Sequence, residues 1–222
     1  MRRATVATAV VGAFLFASCG GGGGSTKANP SADKTAAEKI SLKQSDFPSG
    51  WASNPHQASP EEAQTLRQLA QCLGLPDPAS HSSADVRSPD FSKGQTTTAS
   101  SEVRFVRTDA EASTDLGGYQ SGKASHCLTQ AFEALTKQQL PSGLTPSGLA
   151  VRQLPFPTLK DGTAAYQATF TIPVAGTNAP VYVDFIFFRA ARAEITLATI
   201  NLGSPFDTKL EQDLAKKMAG RT

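Results

Sequence analysis

Residues 163–202 read "TAAYQATFTIPVAGTNAPVYVDFIFFRAARAEITLATINL", and this run decides the fold class. Over 163–172 the chain alternates: Tyr166, Ala168, Phe170 and Ile172 fall on one side of an extended backbone, and Gln167, Thr169 and Thr171 on the other. A period of two is the signature of a strand. Residues 173–180 carry two prolines, a glycine and an asparagine and read as a turn. Residues 181–188 are apolar on both sides except for Asp184, and 193–202 form another strand. Residues 148–156 supply a further strand upstream. Connections this short join neighbours, which predicts an antiparallel meander.

Helices are marked upstream and downstream of that run. In 59–74, "SPEEAQTLRQLAQCLG", Ser59 is the expected N-cap, Pro60 the first helical residue and Glu62 the capping-box partner. Leu66, Leu69, Ala70 and Leu73 make the apolar stripe, and Gly74 with Pro76 ends the helix. Residues 75–98 are rich in Pro, Ser, Asp and Thr and read as a long surface loop, followed by a strand over 100–107. Residues 109–140 are helical in character with a break at Gly117-Gly118, and Cys127 shares a face with Ala124, Leu128, Ala131 and Leu135. A last helix is expected to start at Ser204 and to bury Phe206, Leu210, Leu214 and Met218. Helices packed on a twisted antiparallel sheet define an α+β domain.

The N-terminus gives an address. Met1-Arg2-Arg3 precedes an uncharged stretch from Ala4 to Ser18, which has the form of a secretory signal peptide and is too short to span a bilayer. Ordinary leader cleavage requires small residues at the last and third-last positions. Phe16 and Leu15 block the cuts after Ser18 and Ala17. Phe16-Ala17-Ser18-Cys19 instead resembles a bacterial lipobox, with Phe where Leu is commonest. The expected organisation is a signal peptide at 1–18, a lipidated Cys19 with a flexible Gly-rich tether over 19–39, and one α+β domain at 40–222.

Cysteine count agrees with this. The chain has three cysteines, an odd number for an exported protein. Lipidation of Cys19 leaves Cys72 and Cys127 to pair in an oxidising compartment. Charge excludes whole classes of partner. The chain holds 21 basic and 19 acidic residues. Loss of Arg2 and Arg3 with the leader leaves the mature chain neutral. No basic stripe is available for nucleic acid, and no polybasic cluster for anionic lipid.

No catalytic motif is present. His56, His81 and His126 are isolated, there is no His-Glu-x-x-His or Cys-x-x-Cys, and no Gly-x-Ser-x-Gly elbow. The sequence calls for no catalytic residue, metal or cofactor. A candidate ligand groove remains, lined by Tyr166, Tyr182 and Phe188, with Asp184 as a polar anchor and Trp51 as a stacking surface. The competing reading makes Asp184 an ion-pair partner of Arg152, Arg189 or Arg192, and Trp51 a plug over the core edge.

The lipobox, the glycine run, Asp-Phe-Pro-x-Gly-Trp at 46–51 and a Cys-Leu pair in each of two helices occur together. So arranged, the chain resembles actinobacterial cell-envelope lipoproteins with a PsbP-like or kinase-sensor-like domain. That resemblance implies a non-enzymatic protein anchored by lipid on the outer face of the cell membrane. It would bind an envelope lipid, a glycan or a protein partner. Two alternatives stand beside it: an envelope-polymer enzyme whose site is assembled only by the fold, and a structural factor without a pocket.

Overall fold

A computed structural model describes residues 28–57, 59–139, 146–174 and 177–222. The expected leader, Cys19 and the glycine run lie outside them. The chain is α+β, with six helices and an eight-stranded antiparallel sheet among the described residues. The helices are α1 (Pro30–Ile40), α2 (Pro60–Leu73), α3 (Pro78–His81), α4 (Asp109–Tyr119), α5 (Ala124–Gln139) and α6 (Thr208–Ala219). The strands are β1 (Ala52–Asn54), β2 (Ser82–Arg87), β3 (Asp90–Lys93), β4 (Thr97–Val106), β5 (Ser147–Gln153), β6 (Thr163–Val174), β7 (Thr177–Ala190) and β8 (Ala193–Leu202). Their order is β1-β3-β4-β8-β7-β6-β5, with β2 also pairing β4. The meander expected from 148–202 is therefore present as β5 to β8.

Register fixes which side chains share a face. Tyr166 stands opposite Phe185, Phe187 opposite Thr196, and Glu102 also opposite Thr196. One face thus carries Ala164, Tyr166, Ala168, Phe185, Phe187 and Val183, and it packs under α2, α4 and α5. The other carries Val103, Ala165, Ile186, Phe188, Ile195 and Leu197, covered by Ala37 and Ile40 of α1 and by Leu214, Ala215 and Met218 of α6. Both faces are buried, which is why residues 181–188 are apolar on both sides.

Three expectations are corrected. The tether was expected to reach residue 39, but α1 begins at Pro30. Asn29 caps it by accepting from the Ala32 amide at 3.2 Å, and Asp33, Ala37 and Ile40 are buried. Few apolar residues were needed because the helix is clamped by charge. Arg192 donates to both oxygens of Asp33, at 2.6 and 3.1 Å, and the Ser83 hydroxyl donates at 2.6 Å. The loop expected over 75–98 contains α3, β2 and β3, whose side chains are mostly half-exposed and so show no apolar period. The last helix is capped by Asp207, which accepts from the Leu210 amide at 2.9 Å, whereas Ser204 accepts from the Asn201 amide group instead.

The two caps expected for α2 hold, but the capping box does not form. Ser59 accepts from the Glu62 amide at 3.1 Å, and Gly74 takes the left-handed C-cap at φ 77°. The Glu62 side chain turns away from the cap toward Arg87. Cys72 and Cys127 form a disulfide, with Cα atoms 5.6 Å apart, that staples α2 to α5. Closing 55 residue steps restricts the unfolded chain by about 4 kcal/mol in the chain-entropy account.

Candidate functional site

The five residues of the expected groove do not line one groove. Tyr166 and Tyr182 sit on opposite faces, because β6 residue 166 pairs with Phe185 while Tyr182 pairs with Thr169. Tyr166 is buried, and its hydroxyl donates to the Tyr119 carbonyl at 2.6 Å. Phe188 is closed into the core under α6. Trp51 is a plug: it is 7% exposed, with ring centroids 4.7 Å from Phe47 and 6.1 Å from Phe206.

Asp184 is buried, but none of the three expected arginines forms an ion pair with it. Arg192 is taken by Asp33, Arg189 by Asp109 at 2.8 Å, and Arg152 donates to the Gln167 side chain at 2.7 Å. Asp184 meets Gln167 and Glu211 of α6. Burial, outweighing those hydrogen bonds, raises the Asp184 pKa. Burial and then the Asp184 charge push Glu211 up to about 8, while Thr199 donates to its carboxyl at 2.8 Å. Two carboxyls side by side in a water-poor core share protons rather than ionise together.

The concave site lies on the other face, between the sheet and the roof of α2, α4 and α5. It is a cavity of about 210 Å³. Its apolar part is walled by Leu66 and Leu69 of α2, Leu128 and Phe132 of α5, and Phe185 and Phe187 of β7. Phe188 also contributes to its wall; Trp51, Tyr166, Tyr182 and Asp184 do not. The disulfide fixes the spacing of the α2–α5 roof. The cavity exists because the facing sheet positions change character along β4 and β8: Ser100, Glu102, Thr196 and Ala198 stand where β7 presents phenylalanines.

Its polar part is dense with charge. Arg87 pairs with Glu62 and, at 3.0 Å, with Glu102. Arg104 pairs with Glu102, lies 3.6 Å from Asp85 and 3.9 Å from Glu194. Burial works against the Arg104 charge, but Glu102, Asp85 and Glu194 outweigh it and raise its pKa. Glu194 is pushed up to about 9, first by burial, then by its hydrogen bond to Asp115 and the Asp115 charge. Both carboxyls have the same cause for being close: Asp115 projects down from α4 and Glu194 up from β8. His81 Nε2 lies 3.1 Å from the Asp115 carboxylate.

Three buried polar atoms in this wall have no hydrogen-bond partner among the described residues: Thr65 Oγ1, Arg104 Nε and Glu194 Oε1. Buried polar groups are ordinarily satisfied, so three orphans on one cavity mark it out. Sequence reasoning missed all three. Glu194 carried the one available signal, as the single charged residue of its strand. Among the described residues, no helix is long and apolar enough to cross a membrane.

No protein-family model matches the chain, and no curated protein sequence matches it. Among solved structures it is similar to the extracellular domain of PknH from Mycobacterium tuberculosis, at 8% identity and TM-score 0.41, covering 85% of this chain and 95% of that one. It is also similar to LpqN of Mycobacterium tuberculosis, a protein involved in cell envelope biogenesis. That match has 13% identity and TM-score 0.33, covering 78% of each chain. A third similarity is to PA94 of Pseudomonas aeruginosa, a protein of unknown function, at 16% identity and TM-score 0.22, covering 62% of this chain and 78% of that one.

Proposed function

We propose that the chain is a lipid-anchored binding protein of the bacterial cell envelope, held by Cys19 on the outer face of the cytoplasmic membrane. We further propose that it takes a small, mostly apolar ligand into the cavity under α2 and α5. The cavity carries the second part: an apolar pocket with a few convergent polar groups is the usual form of a small-molecule site. An apolar cavity of about 150 Å³ takes benzene, so 210 Å³ suits a ring with a short substituent. The lipobox-like run at 16–19 and the basic start followed by an uncharged stretch from Ala4 to Ser18 support the address.

Each part has its own test. Mass spectrometry of the mature N-terminus should find a diacylglyceryl cysteine at Cys19, and Cys19→Ser should leave the membrane fraction. An unmodified start at another residue rejects the anchor. Titration with N-phenyl-1-naphthylamine should give a saturable fluorescence rise that Leu66→Trp, filling the cavity from its half-exposed side, abolishes. Absence of saturable binding rejects the pocket as a ligand site.

One observation favours the enzymatic alternative: Asp115 and Glu194 converge in a cavity. They are hydrogen-bonded to each other, however, whereas the carboxyl pairs that cleave glycosides stand about 5–10 Å apart to admit the bond. Release of reducing ends from purified cell-wall glycan, lost in Glu194→Gln, would restore the enzymatic reading. The cavity also removes the reason for preferring a factor without a pocket.

A further inference from the structure

The cavity wall carries four acids, Glu62 on α2, Glu102 on β4, Asp115 on α4 and Glu194 on β8, and three guanidiniums, Arg87, Arg104 and Arg189, with the imidazoles of His56 and His81. Arg87 and Arg104 pair with Glu62, Glu102 and Asp85, and Arg189 pairs with Asp109. Asp115 and Glu194 face each other, with His81 Nε2 3.1 Å from Asp115 and the already paired Arg104 3.9 Å from Glu194. Taking a second negative charge into this place would be unfavourable, so the pair holds a proton in place of a cation.

A second observation is independent of the acids. Thr35, Thr114, Thr129 and Thr136 each return their hydroxyl to the carbonyl four residues back, at 3.1, 3.0, 2.8 and 2.8 Å. This is the common way for a helical threonine to satisfy itself. Thr65 of α2 is 2% exposed, lines the cavity, and makes no such bond. Its hydroxyl is left for something in the cavity. Glu194 Oε1 is orphaned on the same wall.

We propose that the cavity binds a small primary amine with an apolar body, the ammonium seated between Asp115 and Glu194 and the body lying between the α2–α5 roof and Phe185 and Phe187. An ammonium brings three donors and no acceptor. Those donors match the carboxylate oxygens of Asp115 and Glu194, and the unpartnered Thr65 Oγ1 lines the same cavity. An anionic ligand would add a charge of the wrong sign. A neutral alcohol would leave the acid pair as it is. Among the described residues no group of three or more His, Cys, Asp or Glu is gathered closely enough to hold a metal ion, so an organic cation fits better than a metal. Arg104 Nε, the remaining orphan, is a donor, and a hydroxyl or ether oxygen on the same ligand would satisfy it.

The proposal rests on the cavity being a ligand site and adds a linked proton. Glu194 keeps its proton up to about pH 9 in the free protein, and a bound ammonium displaces it. The charged and titratable groups around Glu194 are Asp115 and Tyr119 from α4, His81 at the end of α3, Glu102 and Arg104 from β4, Arg189 opposite it on β7, and Asp85 and Arg87 from β2. Binding should release about one proton, so affinity rises about tenfold per pH unit between pH 6 and 8.

Isothermal titration of the full chain with phenethylamine, phenethyl alcohol and phenylacetate tests this. At pH 8 the amine should bind at least about tenfold more tightly than the alcohol, and phenylacetate more weakly than either. Two buffers of different ionisation enthalpy should report the released proton. Glu194→Gln should abolish both the preference and the release. Asp115→Asn should do the same if the first variant does not fold, and the release should survive His81→Gln. Equal binding of amine and alcohol overturns the ammonium seat and leaves the apolar cavity standing. Tighter binding of phenylacetate overturns it by sign. Failure of all three ligands to bind overturns the cavity reading and this proposal with it.

Discussion

Glu211→Gln should stabilise the protein above neutral pH and leave it almost unchanged near pH 4.5. Glu211 is 2% exposed and lies beside the buried Asp184. Its ordinary pKa of 4.5 is raised to about 8 by burial and by Asp184. In the unfolded chain the group has lost its proton by pH 7; in the fold it keeps it. Folding at pH 7 therefore takes up a proton, at about 1.4 kcal/mol for each pH unit above the unfolded value. The stability linked to Glu211 is fully present below pH 4.5 and is lost progressively toward pH 8. Over 2.5 units that amounts to about 3 kcal/mol at pH 7. An amide in its place still accepts from Thr199 and donates to Asp184, and it has no proton to lose. For a domain of this size 1 kcal/mol corresponds to about 2–4 °C in Tm, so the variant should gain roughly 6–12 °C at pH 7. Circular dichroism melts from pH 4.5 to 8.5, with the disulfide intact, measure this. A wild-type Tm that does not fall from pH 5 to pH 8 refutes the shared-proton account. So does a variant that loses the same stability at every pH.

Three other perturbations probe separate joints. Cys127→Ser should lower stability by up to about 4 kcal/mol and loosen the α2–α5 roof, read as a lower urea midpoint and weaker binding of the naphthyl probe. Asp33→Ala leaves Arg192 buried without its carboxylate; a loss of about 3–5 kcal/mol is expected, with faster amide exchange over residues 30–40. The hydrogen bonds from Arg192, opposed by burial, hold the Asp33 carboxyl below its ordinary pKa, so the clamp is present above pH 4 and weakens in stronger acid. Gly162→Ala should cost roughly 1–3 kcal/mol by thermal melting. Gly162 has φ 145°, and a Cβ there would stand 2.7 Å from the Leu116 side chain of α4.

How far the sequence could be read depended on how local each signal was. Strands β5 to β8 and helix α2 announce themselves, because a period of two and a cap followed by an apolar stripe are written into consecutive residues. Helix α1 was hidden. It buries Asp33, Ala37 and Ile40, too few apolar side chains to show a stripe, and its clamp on Arg192 comes from a distant strand. Its local signal was Asn29 followed by Pro30, with Asp33 reaching back to the Asn29 amide at 3.2 Å. Strand β2 was hidden because its half-exposed side chains lack an apolar face.

The candidate site was less legible than the fold. Asp184 was correctly singled out as a buried acid, but its partner Glu211 lies on α6, beyond any pattern in β7. Tyr166 and Tyr182 look alike in the sequence, yet the β6–β7 register sends them to opposite faces. The sequence alone determined the meander, the α2 stripe and which apolar residues would be inside, since these follow from side-chain spacing along one stretch of backbone. The cysteine count pointed to a pair. Only the tertiary structure decided that Thr65, His81, Asp115 and Glu194 share one cavity. They come from α2, α3, α4 and β8, and what brings them together is the long-range pairing of β4 with β8 and the packing of the stapled roof across it.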